Sequence, residues 1–149
     1  MKYYFLALGF FCLALSACEN DDFCAENTSP KILIRFYDKE DPETVKEVPL
    51  IVWAEDKDTI YPLAVLDSIA LPLDTSNKQT TYKFSTTNIV DELKFTYVRE
   101  DVFISRSCGY IAIFKNVALE SQTNNWIESA EISNATIENE TAAHVKIYH

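Results

Sequence analysis

The sequence predicts an all-β protein: a single antiparallel β-sandwich, immunoglobulin-like in broad architecture, with a small β-barrel as the alternative. Three observations carry this expectation. From residue 31 onward, apolar residues recur at every second position in short runs, the spacing that gives a strand one covered face. Clusters of Asp, Asn, Ser, Thr and Pro separate the runs. No stretch carries a helix-length stripe of period 3.6, so nothing supplies crossover helices, and antiparallel pairing is expected.

The elements follow in order. Lys31 to Tyr37 alternates, with Ile32, Ile34 and Phe36 on one face. Asp38 to Pro42 is a charged turn, and Val48 to Ala54 is the next strand, with Pro49 near its start, where a missing N–H does least harm. Ile60 to Val65 and Ser68 to Leu73 are short segments whose Pro62 and Pro72 suit edge or irregular strands. Asp74 to Lys78 reads as a turn. Thr81 to Phe84 puts Tyr82 and Phe84 on one face, and Asp91 to Arg99 does the same with Leu93, Phe95 and Tyr97. Val102 to Ser105 is a short extended piece. Gly109 to Phe114 follows, with Ile111 and Ile113 read as inward, and Lys115-Asn116 reads as a turn. Residues 119–125 read as loop, Trp126 to Ile132 and Ala142 to Tyr148 as strands, and Asn134 to Asn139 as a short strand or a turn. Only two glycines occur, Gly9 and Gly109, so turns rely on Asn, Asp and Pro.

The start of the chain has a different texture. Lys2 precedes an uncharged, strongly apolar run from Tyr3 to Ala17. The run falls short of the roughly 20 residues that cross a bilayer and has the make-up of a signal peptide. Its exit, Leu15-Ser16-Ala17-Cys18, resembles the lipobox of bacterial lipoproteins. That resemblance implies cleavage before Cys18 and acylation of Cys18, palmitate being among the chains such anchors carry. Two or more acyl chains hold stably, at about 0.8 kcal/mol per buried CH₂. The expected organisation is a lipoprotein signal peptide at 1–17, a lipidated acidic tether at 18–30 and a β-sandwich domain at 31–149. Glu19-Asn-Asp-Asp-Phe23 resembles the acidic surface-export signals of Bacteroidetes lipoproteins. The expected location is the outer membrane, lipid-anchored, on its periplasmic face or at the cell surface.

Cleavage at Cys18 removes Lys2 and no acidic residue, so the formal charge moves from −10 to −11. Such a balance argues against nucleic acid as a partner, because phosphates must be met by Lys and Arg. It also disfavours extended contact with anionic lipid, which leaves membrane attachment to the acyl chains alone. Of the four cysteines, Cys12 goes with the signal and Cys18 carries lipid. Cys24 and Cys108 remain and are expected to form a disulfide closing 84 intervals of chain, which the chain-entropy relation places at roughly 4–5 kcal/mol.

Several stretches together carry a wider resemblance. They are Pro30-Lys-Ile-Leu-Ile-Arg-Phe-Tyr-Asp38, Ile69-Ala-Leu-Pro-Leu73, Phe95-Thr-Tyr-Val-Arg99, Ser105-Arg-Ser-Cys-Gly-Tyr110, Asn125-Trp-Ile127 and Ala143-His-Val-Lys-Ile-Tyr-His149. With the lipobox, the chain resembles an uncharacterised Bacteroidetes lipoprotein family of this length. The resemblance implies compartment and single-domain organisation, and it brings no catalytic residue or cofactor.

Constellations with chemical potential are few. Cys108 beside Arg106 has the cation that stabilises a thiolate, but a nucleophile needs a placed base, and the only histidines are His144 and His149. These lie five apart, on opposite sides of an ideal strand, a poor start for a metal site. The acidic pairs Asp21/Asp22, Glu40/Asp41, Asp56/Asp58, Glu100/Asp101 and Glu138/Glu140 sit in turns and lack the ordered ligand spacing of a calcium loop. No catalytic, metal or cofactor residue is assigned. Asp58-Thr59-Ile60 and Asp67-Ser68-Ile69 resemble the Bacteroidetes O-glycosylation triplet, with Thr59 and Ser68 as acceptors. Asn27, Asn134 and Asn139 match the N-glycan triplet, which a bacterial setting makes weak. Tyr37, Trp53, Tyr61, Tyr97, Tyr110, Trp126 and Tyr148 could line a binding surface, although cross-strand packing is their commoner use.

The expected function is therefore a non-catalytic cell-envelope lipoprotein, an accessory or binding module for an envelope protein or glycan. The alternatives are a structural assembly factor of an outer-membrane complex and an envelope hydrolase. A concave pocket with paired carboxylates would favour the last, and a bare uncharged edge strand the assembly role.

Overall fold

The computed structural model describes residues 29–55 and 57–149. These fold into nine strands and no helix: β1 (Ile32–Tyr37), β2 (Val48–Ala54), β3 (Thr59–Leu66), β4 (Ser68–Leu71), β5 (Gln79–Thr86), β6 (Ile89–Ser105), β7 (Gly109–Gln122), β8 (Ser129–Ile132) and β9 (Val145–Tyr148). They form a four-stranded sheet ordered β4-β1-β9-β8 and a five-stranded sheet ordered β3-β2-β5-β6-β7. The two sheets share one core, so the domain is a sandwich and not a closed barrel.

Period-two alternation builds that core. Ile32, Ile34 and Phe36 of β1, Val145 and Ile147 of β9, Leu93 and Phe95 of β6, and Phe84 of β5 are all fully buried. Tyr82 and Tyr97 join them. Their hydroxyls are satisfied as burial demands, Tyr82 donating to the Pro72 carbonyl and Tyr97 to the Asp74 carbonyl at 2.8 Å. Prolines sit where sheets tolerate them: Pro62 lies in β3, an edge strand, and Pro72 directly follows β4, another edge.

Four expectations are corrected. Pairing is antiparallel everywhere except between β1 and β9, which run parallel with Ile34 opposite Val145. A parallel pair needs a long crossover rather than a helix as such, and here almost the whole domain serves as the crossover. Lys115-Asn116 is not a turn but a bulge: between the Val98↔Lys115 and Thr96↔Ala118 pairs β7 carries one residue more than β6, and Asn116 takes φ 54°. β7 therefore runs on through the supposed loop to Gln122. On β7 the residues that enter the main core are Phe114, stacked edge-on against Tyr97 at 5.1 Å, and Val117; Ile113 is buried as expected but outside that cluster, whereas Ile111 is only half-buried. Both faces of that stretch are apolar, so alternation could not say which pointed inward. The fourth correction concerns Trp126 to Glu128: the strand begins only at Ser129, because the preceding backbone is held by a buried carboxylate.

Candidate functional site

Strand register places four features at one end of the sandwich. β1 begins there, with Ile32 opposite Leu71 at the end of β4. β2 ends there, with Ala54 opposite Tyr82. The loop 72–78 leads from β4 to the start of β5, and Gln79 pairs with Thr96. Past Thr96, β6 keeps only β7 as a neighbour, and the pair continues as a two-stranded ribbon to Ser105 and Gly109.

Loop 72–78 is fixed by its own polar groups. The Asp74 carboxylate accepts from the Ser76 and Asn77 N–H groups and from the Asn77 amide at 2.8 Å. Asn77 and Ser76 thereby hold its pKa below the ordinary value. Asp74 N–H donates to Thr80 Oγ1, which lies 2.5 Å from the Tyr97 hydroxyl. Arg99 reaches across from the ribbon to the Thr75 carbonyl at 2.8 Å while pairing with Asp101. Two recesses flank this loop. A polar cleft of about 830 Å³ lies between it and the start of β3, with Glu55, Asp58, Thr59, Asn77 and Gln79 among its lining residues. A shallower recess of about 520 Å³ is lined by Ser29, Thr75, Arg99, Asp101, Tyr110 and Ala112. Thr75 borders both, so the recesses are neighbours.

At the tip of the ribbon, Phe103 and Tyr110 face each other across the strands, ring centroids 5.4 Å apart. Both are largely exposed, at 54% and 66%. Cys108 lies in the connecting turn, its N–H bonded to Ser105 Oγ, and is disulfide-bonded. Its sulfur is therefore not a thiolate. Gly109 closes the turn with φ 69°, a conformation that suits glycine.

The opposite end is locked rather than open. Asp91, fully buried at the start of β6, accepts from Thr123 Oγ1 and from the N–H groups of Asn125, Trp126 and Ile127, all within 2.8 Å. Burial pushes its carboxyl up, but these donors, Ile127 first, outweigh that and leave the pKa below the ordinary value. Nothing local announces this clasp, because Asp91 and its partners stand more than thirty residues apart.

His144 is buried, and its Nδ1 accepts from the Leu33 N–H at 3.0 Å. The His149 ring packs against Phe36 and Trp126, and its backbone N–H donates to the Tyr37 carbonyl. Among the described residues, no group of three or more His, Cys, Asp or Glu is placed to hold a metal ion. Thr59 is exposed on the cleft rim, whereas Ser68 is half-buried and donates to Asp67 at 2.7 Å. Asn134 and Asn139 cap turns through Thr136 and Thr141. Cys18, Cys24, Asn27, Asp56 and the segment 1–17 lie outside the described residues. Sequence reading picked out Tyr110 and Cys108 but missed Phe103, whose significance depends on its cross-strand partner.

A family of unknown function, DUF6452, matches residues 49–149. The chain belongs to this family. The DUF6452 match starts at the second residue of β2, so β1 precedes it, although β1 is an interior strand of the four-stranded sheet. No curated protein and no solved structure matches the chain.

Proposed function

We propose that this DUF6452 protein is a non-catalytic lipoprotein of the outer membrane, held by acyl chains on Cys18, that binds an envelope glycan in the polar cleft beside loop 72–78. The observation that carries the reading is the cleft itself. Its volume of about 830 Å³ falls in the range of ligand sites, and its rim offers carboxylate, amide and hydroxyl groups that suit sugar hydroxyls. The groups with most chemical potential are committed elsewhere. Cys108 is oxidised, His144 holds a backbone N–H, and Asp74 is engaged by Ser76 and Asn77. The lipobox and the family resemblance support the compartment, and Cys24 is the partner we assign to Cys108. Calorimetric titration of the lipoprotein with envelope saccharides tests the reading. Binding that weakens in Asp58→Ala and Gln79→Ala supports it. Absence of saccharide binding by a stably folded protein refutes it.

A second reading rests on β3. This edge strand has no charged residue from Thr59 to Leu66, and it exposes Leu63 and Val65. Bare edges pair with other chains, which suits a structural assembly factor joined to an envelope protein.

A further inference from the structure

We propose that the tip of the β6–β7 ribbon enters the headgroup region of the bilayer, as a second membrane contact beside the lipid on Cys18. The inference rests on the lipid-anchor reading above and extends it to a surface of the folded domain.

Four observations converge. The tip is aromatic and exposed, with Phe103 and Tyr110 stacked edge to face. Such side chains favour the boundary between water and hydrocarbon. The tip also escapes the acidity of the molecule. Between Asp101 and Lys115 the sole charged residue is Arg106, in a chain of 23 carboxylates. Net charge argues against contact of the whole protein with anionic lipid, but it does not describe this segment, and one cation there is attracted to an anionic surface.

Position supplies the third and fourth observations. Ser29, where the described chain begins, lines the same recess as Tyr110 and Ala112. Cys18 is eleven residues upstream, a reach of at most about 40 Å. Finally, Cys108 in the tip is disulfide-bonded, and every other cysteine of the chain precedes Ser29. With Cys24 as its partner, the acylated position is six chain steps from the cysteine bonded to the tip, at most roughly 22 Å of chain. The anchor and the ribbon tip must then approach the same surface.

The experiment uses the full lipidated protein in vesicles of phosphatidylethanolamine and phosphatidylglycerol whose acyl chains carry bromine. Phe103→Trp reports at the tip, and Val98→Trp, at an exposed position nearer the body of the domain, reports depth. Flotation and the mass of the amino-terminal peptide report the anchor separately. The proposal expects a blue shift and loss of the added emission for Phe103→Trp, with little of either for Val98→Trp. A protein that floats and is acylated, but whose Phe103→Trp emission is neither shifted nor quenched, overturns the tip contact and leaves the anchor standing. Crosslinking of an unquenched tip to an envelope protein in intact cells overturns it equally and makes the ribbon a protein contact. A protein that neither floats nor carries acyl mass overturns the anchor and this inference together.

Discussion

Asp91 shows how much one buried carboxylate can organise. Its four donors belong to the segment joining β7 to β8, and without it three backbone N–H groups lose their acceptor. Each buried donor left unsatisfied costs about 1–3 kcal/mol. Asp91→Ala should therefore destabilise the domain by at least about 3 kcal/mol, read from the urea midpoint, with Asp91→Asn milder. His144 is the pH-sensitive counterpart. Desolvation lowers its pKa from 6.5, against the opposing pull of Glu140 and of a hydrogen bond to the Asn139 backbone. The unfolded chain then binds the proton more readily than the folded one. Stability is complete above pH 6.5 and falls as the pH drops below it toward the folded value. Denaturant titrations at about pH 8 and about pH 5 should show that loss, and His144→Gln should remove part of the difference. Sequence reading put this histidine in the strand Ala142 to Tyr148 and gave no sign of its burial. That β9 lies between β1 and β8 is a long-range pairing that no local pattern encodes.

At the level of elements, alternation located the strands and marked the inward residues wherever the two faces differed in polarity. β1, β5, β6 and β9 are the clear cases, with Ile34, Phe84, Phe95 and Ile147 all fully buried. It failed where polarity was the same on both sides, as at half-buried Ile111 and buried Phe114, and where a bulge replaced a turn. The bulge is testable. Asn116 holds φ 54°, so Asn116→Gly should be close to neutral, and Asn116→Val should cost about 1–2 kcal/mol in thermal or urea unfolding. β3 gives the opposite case. Pro62 and two register shifts blunt part of this edge, yet Leu63 and Val65 remain uncovered. Leu63→Lys with Val65→Lys should leave stability within about 0.5 kcal/mol, as surface changes do. Loss of a captured envelope protein in the same variant would favour the assembly reading. The polar cleft was hardly legible at all, because it is assembled from two turns that the sequence presents only as hydrophilic punctuation.

For the molecule as a whole, sequence reading anticipated two facing sheets, and the structure adds their order and the fastening of their ends. Reduction of the Cys108 disulfide should lower the urea midpoint. If Cys24 is the partner, chain entropy sets the scale at roughly 4–5 kcal/mol. Mutating both cysteines should reproduce the loss, and non-reducing peptide mapping identifies the pairing. Many contacts span most of the sequence, including Leu33 N–H to His144 and Lys31 N–H to Glu140, so folding is expected in the slow range of β-proteins.

The parallel seam between the first and last strands also imposes an order of events. Ile32, Ile34 and Phe36 cannot be fully enclosed until Val145 and Ile147 have arrived beside β1. A chain emerging from the ribosome therefore lacks its central zipper until β9, more than a hundred residues behind β1, has been made. If the chain is exported as proposed, such tardiness keeps the thread pliable until it has passed the translocation channel.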